Sequence, residues 1–520
     1  MEKVARFISL KTSGNTWVIG ILLLAAFLRL YRIQDYMTFL GDEGRDVLVV
    51  YNILHGNLTL LGPTASVGGF FLGPIYYYFM APFLWLFDYN PVGPAIMVAL
   101  FGIATVWLIY KVANELLGYG VGLVAAFLYS ISPLVIAYSR SSWNPNLMPF
   151  FSLLSLYFLY KAVSKDKANL FILCGFLLGI TMQLHYLTIF LGVIVAVYIL
   201  LIRLVKSDSF KVIKDYIYVF LGFIIGWSPF LAFEARHDFP NIRSIINFVV
   251  RGQETGGNSQ FFAIIENVFF RLFGRLVTNF PPPEQVAIGA HPNIAFWYFA
   301  TLILGIASVS IFLFKFYKKF KERNSEIKKY VLILIWLALG IGLFGFYKKS
   351  IYDYYFGFLF PLPFLLVGML ISSLMTRKIG KILSVVILAT LLWINLQGIP
   401  FRFPPNRQLA QVEEISKFVI EKTDNKPFNF ALITGGNSDH GYRYFFTLWD
   451  KSPITVENPK KDPQRKTVAD QLLVICEKHP CFPLGNSLWE VAGFGRADIV
   501  GEWDVSVVKV YKLKHYKGKD

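Results

Sequence analysis

Apolar runs close to 20 residues long recur through this chain, and no other feature limits its fold as tightly. They fall at about 16–33, 71–87, 91–110, 119–138, 146–161, 169–184, 187–204, 215–233, 296–315, 330–347, 357–376 and 381–398. A helix rising ~1.5 Å per residue needs roughly 20 of them to cross a ~30 Å hydrocarbon core, so most of these runs can span a bilayer. Hydrophobic residues make up 55% of the 520 and charged ones 16%. Soluble domains carry about 25% charged residues, which excludes an ordinary cytosolic enzyme. The 50 Phe and 28 Tyr exclude a disordered chain, and three cysteines exclude a scaffold built on disulfides. Trp17 to Leu30 has no small-residue cleavage site and reads as an uncleaved first span.

Lys and Arg total 50 against 33 acids, a formal charge of +17. In a membrane protein that excess belongs to cytoplasmic loops, so no nucleic-acid partner is expected. If 71–87 lies flat on the outer surface, eleven runs remain as spans. One side then holds Lys3, Arg6 and Lys11; Lys111; Lys161, Lys165 and Lys167; Arg203, Lys206, Lys211 and Lys214; Lys315 to Lys329; and Arg377, Lys378 and Lys381. That is the positive-inside pattern. Pro74 and Pro82 within the aromatic run suit a short, reclining segment. The expected architecture is a polytopic α-helical membrane protein of about 11 transmembrane helices plus juxtamembrane helices over residues 1–400. A small soluble α/β domain follows over 401–520, outside the plasma membrane. Its cues are an amphipathic helix at 408–421 and strand-like alternation in 428–434 and 504–513. Cys476 and Cys481 either pair there or stay free.

With that sidedness, the chemistry-bearing residues gather on the outer face. Gly41-Asp42-Glu43-Gly44-Arg45-Asp46 follows the first span. Adjacent carboxylates at a membrane border are costly unless solvated or used. They read either as a wet loop or as a general base beside a phosphate-binding cation; Asp42 and Glu43 would also be the ligands of any divalent ion, Mg or Mn. The stretch from Val47 reads as a surface helix ended by Gly56. Arg140, with Asn144 nearby, forms a second cluster suited to clamping a lipid phosphate; snorkelling beside interfacial Tyr138 and Trp143 is its plain alternative. His185 and Tyr186 sit at a tight turn, Glu234 and Arg236 at the next outer exit, and Tyr352 and Asp353 in a fifth cluster. For these last three clusters a structural turn or a solvated loop of mixed charge is the plainer reading. The GGNSDHG stretch at 435–441 reads as a turn-rich loop.

The order of a first span, an acidic pair, a surface helix, an aromatic Gly-Pro helix, then YSR and Q-x-H-Y at outer turns resembles GT-C class glycosyltransferases that use polyprenyl-phosphate sugars. Within that class it is most similar to family 39, with its protein O-mannosyltransferases and lipid A aminoarabinose transferases, over roughly residues 15–400. The resemblance implies that Asp42 is the catalytic base, that Glu43 supports it, and that Arg45 matches a basic residue following the acidic pair. It also exposes a departure. Where the lipid A enzymes carry Lys-Pro before the aromatic helix, this chain has Gly73-Pro74, so Arg45, Arg140 or Arg236 must supply the phosphate-binding charge. The Trp-Trp-Asp of oligosaccharyltransferases is missing; Leu448-Trp449-Asp450 comes nearest. The implied partners are a polyprenyl-phosphate-linked sugar and a glycan, lipid or protein acceptor. A flippase of lipid-linked saccharides is the competing class, although no internal repeat of the transporter kind is evident.

Overall fold

The computed structural model describes residues 2–204, 208–248, 260–289, 291–324 and 326–518; Lys206, counted above among the cytoplasmic charges, lies outside them. Six helices are long and apolar enough to cross a membrane: Val92–Leu117, Asn144–Lys165, Tyr186–Leu204, Pro292–Lys321, Ile327–Phe346 and Lys378–Gln397. Two bent pairs raise the count to eight, among the described residues, if each pair is one span. Phe210–Gly226 meets Ser228–Arg236 at 74°, and Asp353–Leu359 meets Pro361–Leu374 at 60°. A proline stands in the first turn after each bend, where its missing N–H and fixed φ start a new helix and cannot continue an old one. The expected span at 119–138 is cut for the same reason: Pro133 starts Pro133–Tyr138 after Tyr119–Ile131 has ended. The aromatic run forms a helix at Ile75–Leu86. Its 12 residues rise only ~18 Å, short of a ~30 Å core.

The described chain divides into two compact units, Met1–Tyr31 with Thr59–Phe79 and Ile96–Pro404, and Arg32–Leu58 with Met80–Ala95 and Pro405–Asp520. Within the first, Ala168–Leu184 and Ser209–Gly226 pack with unusual closeness. A Cβ added to Gly175 would lie 1.9 Å from the Val219 carbonyl oxygen, and one added to Gly222 would lie 1.9 Å from that of Ile172. Gly179 and Gly226 complete a small-xxx-small stripe on each helix. Lipid tails give apolar helices little hydrophobic reason to associate, so such backbone-to-backbone van der Waals contact is what holds the pair.

The second unit carries one four-stranded sheet in the order β1-β2-β4-β3. Its strands are β1 (Asn429–Ile433), β2 (Gln471–Cys476), β3 (Ala497–Val505) and β4 (Val508–His515). β1 and β2 run parallel, and the other pairs run antiparallel. Helix Gln408–Lys422 and β1 lie where the periodicity puts them. The alternating stretch 504–513 differs. It is two strands joined by a two-residue turn, with Ser506 at φ 54° and Val505 paired to Val508. The two-residue turn shifts the phase of the alternation, so that Val505 and Val508 are both buried and Val507 between them is exposed. Cys476 and Cys481 form a disulfide.

Candidate active site

The acidic pair does not sit in a loop ahead of a helix. Gly41–Leu54 is helical from its first residue, and Asp42, Glu43 and Asp46 occupy its first turns. Negative charge is favoured there by the unsatisfied N–H groups and the helix dipole. Glu43 turns back so that its Oε2 accepts the Leu40 N–H at 3.1 Å, half of a capping box. Arg45 binds both flanking acids: its Nη1 donates to Asp42 Oδ1 at 2.9 Å and its Nη2 to Asp46 Oδ1 at 2.7 Å. The three carboxylates diverge in exposure. Asp46 is fully buried, Glu43 is buried, and the Asp42 side chain keeps 56% of its surface. Burial pushes the Glu43 carboxyl up to about 7, with Asp42 and Asp46 adding to the rise. Only Asp42 of the three is both paired with a cation and open to solvent.

What fixes this turn is the stretch read above as a simple loop. The Gly41 N–H donates to Asn437 Oδ1 at 2.8 Å. Asn437 Nδ2 in turn donates to Glu477 Oε1 at 3.0 Å, and Glu477 also accepts from Thr434 Oγ1 and Tyr442 O–H. A Cβ on Gly44 would lie 2.3 Å from the Gly441 nitrogen. His440 shares a 2.7 Å hydrogen bond with Ser438 Oγ, and burial holds its imidazole below the usual histidine range. Asp42 and Arg45 are both close enough to act on its charge. No local pattern signals these partners, because Asn, Ser and His among glycines look like any polar turn.

The remaining expected residues belong to the first unit. Arg140 is buried, its Nη1 donating to the Leu28 and Arg29 carbonyls at 3.0 and 3.2 Å and its Nη2 to that of Tyr31 at 2.8 Å. It therefore satisfies the orphan carbonyls that end the first span. Asn144 does the same for Leu184 at 2.6 Å. Glu234 is not in a solvated loop: it is fully buried within Ser228–Arg236 and caps Pro240–Ile246, accepting from Asn241 Nδ2 at 2.7 Å and Ile242 N–H at 2.9 Å. Arg236 is exposed. His185 stacks on Tyr186, whose hydroxyl lies 2.9 Å from that of Tyr347. Tyr352 is exposed and stacks on Tyr354.

Asp353 also departs from the solvated-loop reading. It lies between two arginines that the sequence reading passed over, accepting from Arg271 Nε at 2.9 Å and Arg275 Nε at 2.8 Å. Two guanidinium groups facing one carboxylate leave surplus positive charge. The available signal was a pair of arginines four apart in the largely apolar FFAIIENVFFRLFGR, since charge in such a setting is costly and marks a function or a partner. An apolar cavity of about 350 Å³ opens in the same unit, lined by Phe70, Tyr186, Phe190, Val193, Phe248 and Tyr347, among others. Tyr347 is in the segment that continues to Ile351 and Asp353, both bound by Arg271.

Among the described residues no group of three His, Cys, Asp or Glu side chains is placed to hold a metal ion. Arg45 already spans Asp42 and Asp46, and Glu43 faces a backbone N–H. The acid turn as it stands does not fit a divalent cation.

Residues 72–233 match the family model described as dolichyl-phosphate-mannose-protein mannosyltransferase. Among solved structures the chain is similar to ArnT from Cupriavidus metallidurans bound to undecaprenyl phosphate, at 12% identity and a TM-score of 0.60, covering 96% of this chain and 98% of that one. It is also similar to the archaeal oligosaccharyltransferase AglB from Archaeoglobus fulgidus in complex with an inhibitory peptide and a dolichol-phosphate. That likeness is 12% identity and a TM-score of 0.53, over 89% of this chain and 69% of that one. No curated protein matches the chain in sequence. The matched family and both structural neighbours are glycosyltransferases, and this chain shares the neighbours' helical membrane fold. The matched segment takes in Arg140, Asn144, His185 and Tyr186 but not the acid turn at 41–46.

Proposed function

We propose that the chain is a membrane glycosyltransferase that moves a sugar from a polyprenyl-phosphate donor to an acceptor hydroxyl, with inversion, on the outer face of the plasma membrane. Asp42 takes the acceptor proton as its oxygen bonds to the anomeric carbon. The bond from that carbon to the phosphate oxygen breaks, and polyprenyl phosphate leaves with the electron pair. The observation that carries the reading is the exposed Asp42 carboxylate, held by Arg45, which also binds buried Asp46. A general base must reach solvent and substrate, and of the three acids Asp42 alone does.

The leaving group gains negative charge, and cations preorganised in a partly dry setting stabilise it best. Arg45, the cation bound to Asp42 in the same turn, takes that role in place of the absent Lys-Pro lysine. The apolar cavity at Phe190, Val193 and Tyr347 takes the isoprenoid tail. Binding of undecaprenyl phosphate by ArnT and of dolichol-phosphate by AglB supports that donor class. Purified protein given a labelled polyprenyl-phosphate sugar, mannose first, tests the reading. Asp42→Asn should lose transfer while melting like the wild type; turnover by that variant near the wild-type rate would refute Asp42 as the base.

A further inference from the structure

A second cavity, of about 590 Å³, opens in the unit that holds the acid turn, within the ~300–1,000 Å³ typical of small-ligand sites. It lies at the carboxyl end of β1, where Ile433 and Thr434 enter it, and loops outside the carboxyl ends of parallel strands are the usual place for ligands in open α/β sheets. Its wall mixes apolar Leu432, Ile433 and Leu488 with the polar side chains of Asn437, Ser438, Asp439, Ser487 and Glu490, and among the described residues no Lys or Arg lines it. Trp489 stands on the same wall and is 41% exposed, while its indole N–H donates to the Val456 carbonyl at 2.8 Å and so fixes the ring.

Hydrogen-bonding groups of both signs around one fixed, partly exposed aromatic ring suit a polyhydroxylated ring with polar edges and C–H faces. Asp439 is paired with Arg443, so Glu490 is the carboxylate of the wall that works against phosphorylated or uronic ligands. The wall is also tied to the chemistry. Asn437 accepts from the Gly41 N–H, and Ser438 bonds His440, so the loop that bounds the cavity also seats the acid turn.

We propose that this cavity is a saccharide subsite for a neutral or amino-sugar acceptor, an assignment that rests on the transferase reading for its word "acceptor". Full-length protein in detergent would be titrated with fluorescently labelled mannotriose, chitotriose and a tri-galacturonate. Mannotriose or chitotriose should saturate the wild type, at least tenfold more tightly than the uronate. Ser487→Trp, an exposed position whose new ring would fill the cavity, should weaken that binding at least tenfold with the melting temperature unchanged. Asp42→Asn should bind within twofold of the wild type. Equal binding of the uronate, no saturable binding of either other trisaccharide, or unchanged binding by Ser487→Trp would overturn the subsite. Since none of these readouts involves turnover, they are independent of whether Asp42 is the base.

Discussion

In the helical unit, Arg140, Asn144 and Glu234 spend their polar atoms on backbone groups at helix ends, whereas in the unit of the acid turn Asp42 keeps more than half of its side chain exposed. The contrast follows from the medium. A charge among apolar helices must be matched by fixed partners, and backbone carbonyls or N–H groups at broken helices are the nearest ones. Where water reaches, a carboxylate needs no such match and stays available for proton transfer. A conspicuous polar residue in the helical part of a chain like this is therefore evidence first about helix ends and only then about chemistry.

Mutating one residue of each kind puts most strain on that distinction. Asp42→Asn should lower transfer by about 10²–10⁴-fold, the usual share of a general base, and leave thermal stability alone; a stability loss instead would make Asp42 structural too. Arg140→Ala should do the reverse. Three carbonyls lose their donor, a cost of about 3 kcal/mol, seen as a lower melting temperature with near-normal turnover per folded molecule.

Glu43 sharpens the contrast within a single turn. Its carboxyl stands near 7 in the fold, against an ordinary value of 4.5, so the native state holds its proton where the unfolded chain has lost it. Stability from this group should fall as pH rises from about 4.5 to about 7, by up to about 3 kcal/mol, and stay flat above. Glu43→Gln should flatten that slope in urea titrations run at several pH values. At Gly44, an alanine would ordinarily favour a helix by about 1 kcal/mol. Here its Cβ meets the Gly441 backbone, so Gly44→Ala should lower both stability and transfer, the latter about tenfold. The smallest effect belongs to the apolar cavity: Val193→Asn should raise the donor KM about threefold with kcat held, because one side chain is a small part of an isoprenoid contact.

Apolar periodicity alone located the helices, because a hydrocarbon core demands about 20 apolar residues whatever their neighbours are. It missed where they break: the bends after Gly226 and Leu359 and the cut at Ser132 depend on prolines whose cost is decided by local packing. The acidic pair could be picked out from its neighbours along the chain, since two adjacent carboxylates beside a span need a reason. Its division of labour could not. Which acid is buried, and that Asn437, Ser438 and Gly441 seat the turn, depend on contacts almost 400 residues apart in sequence, and a polar turn carries no mark of what it will touch. Arg271 and Arg275 likewise became a cation pair only when Asp353 came between them. Composition and period report the medium a segment must occupy; exposure, pairing and charge balance belong to neighbours that only folding supplies.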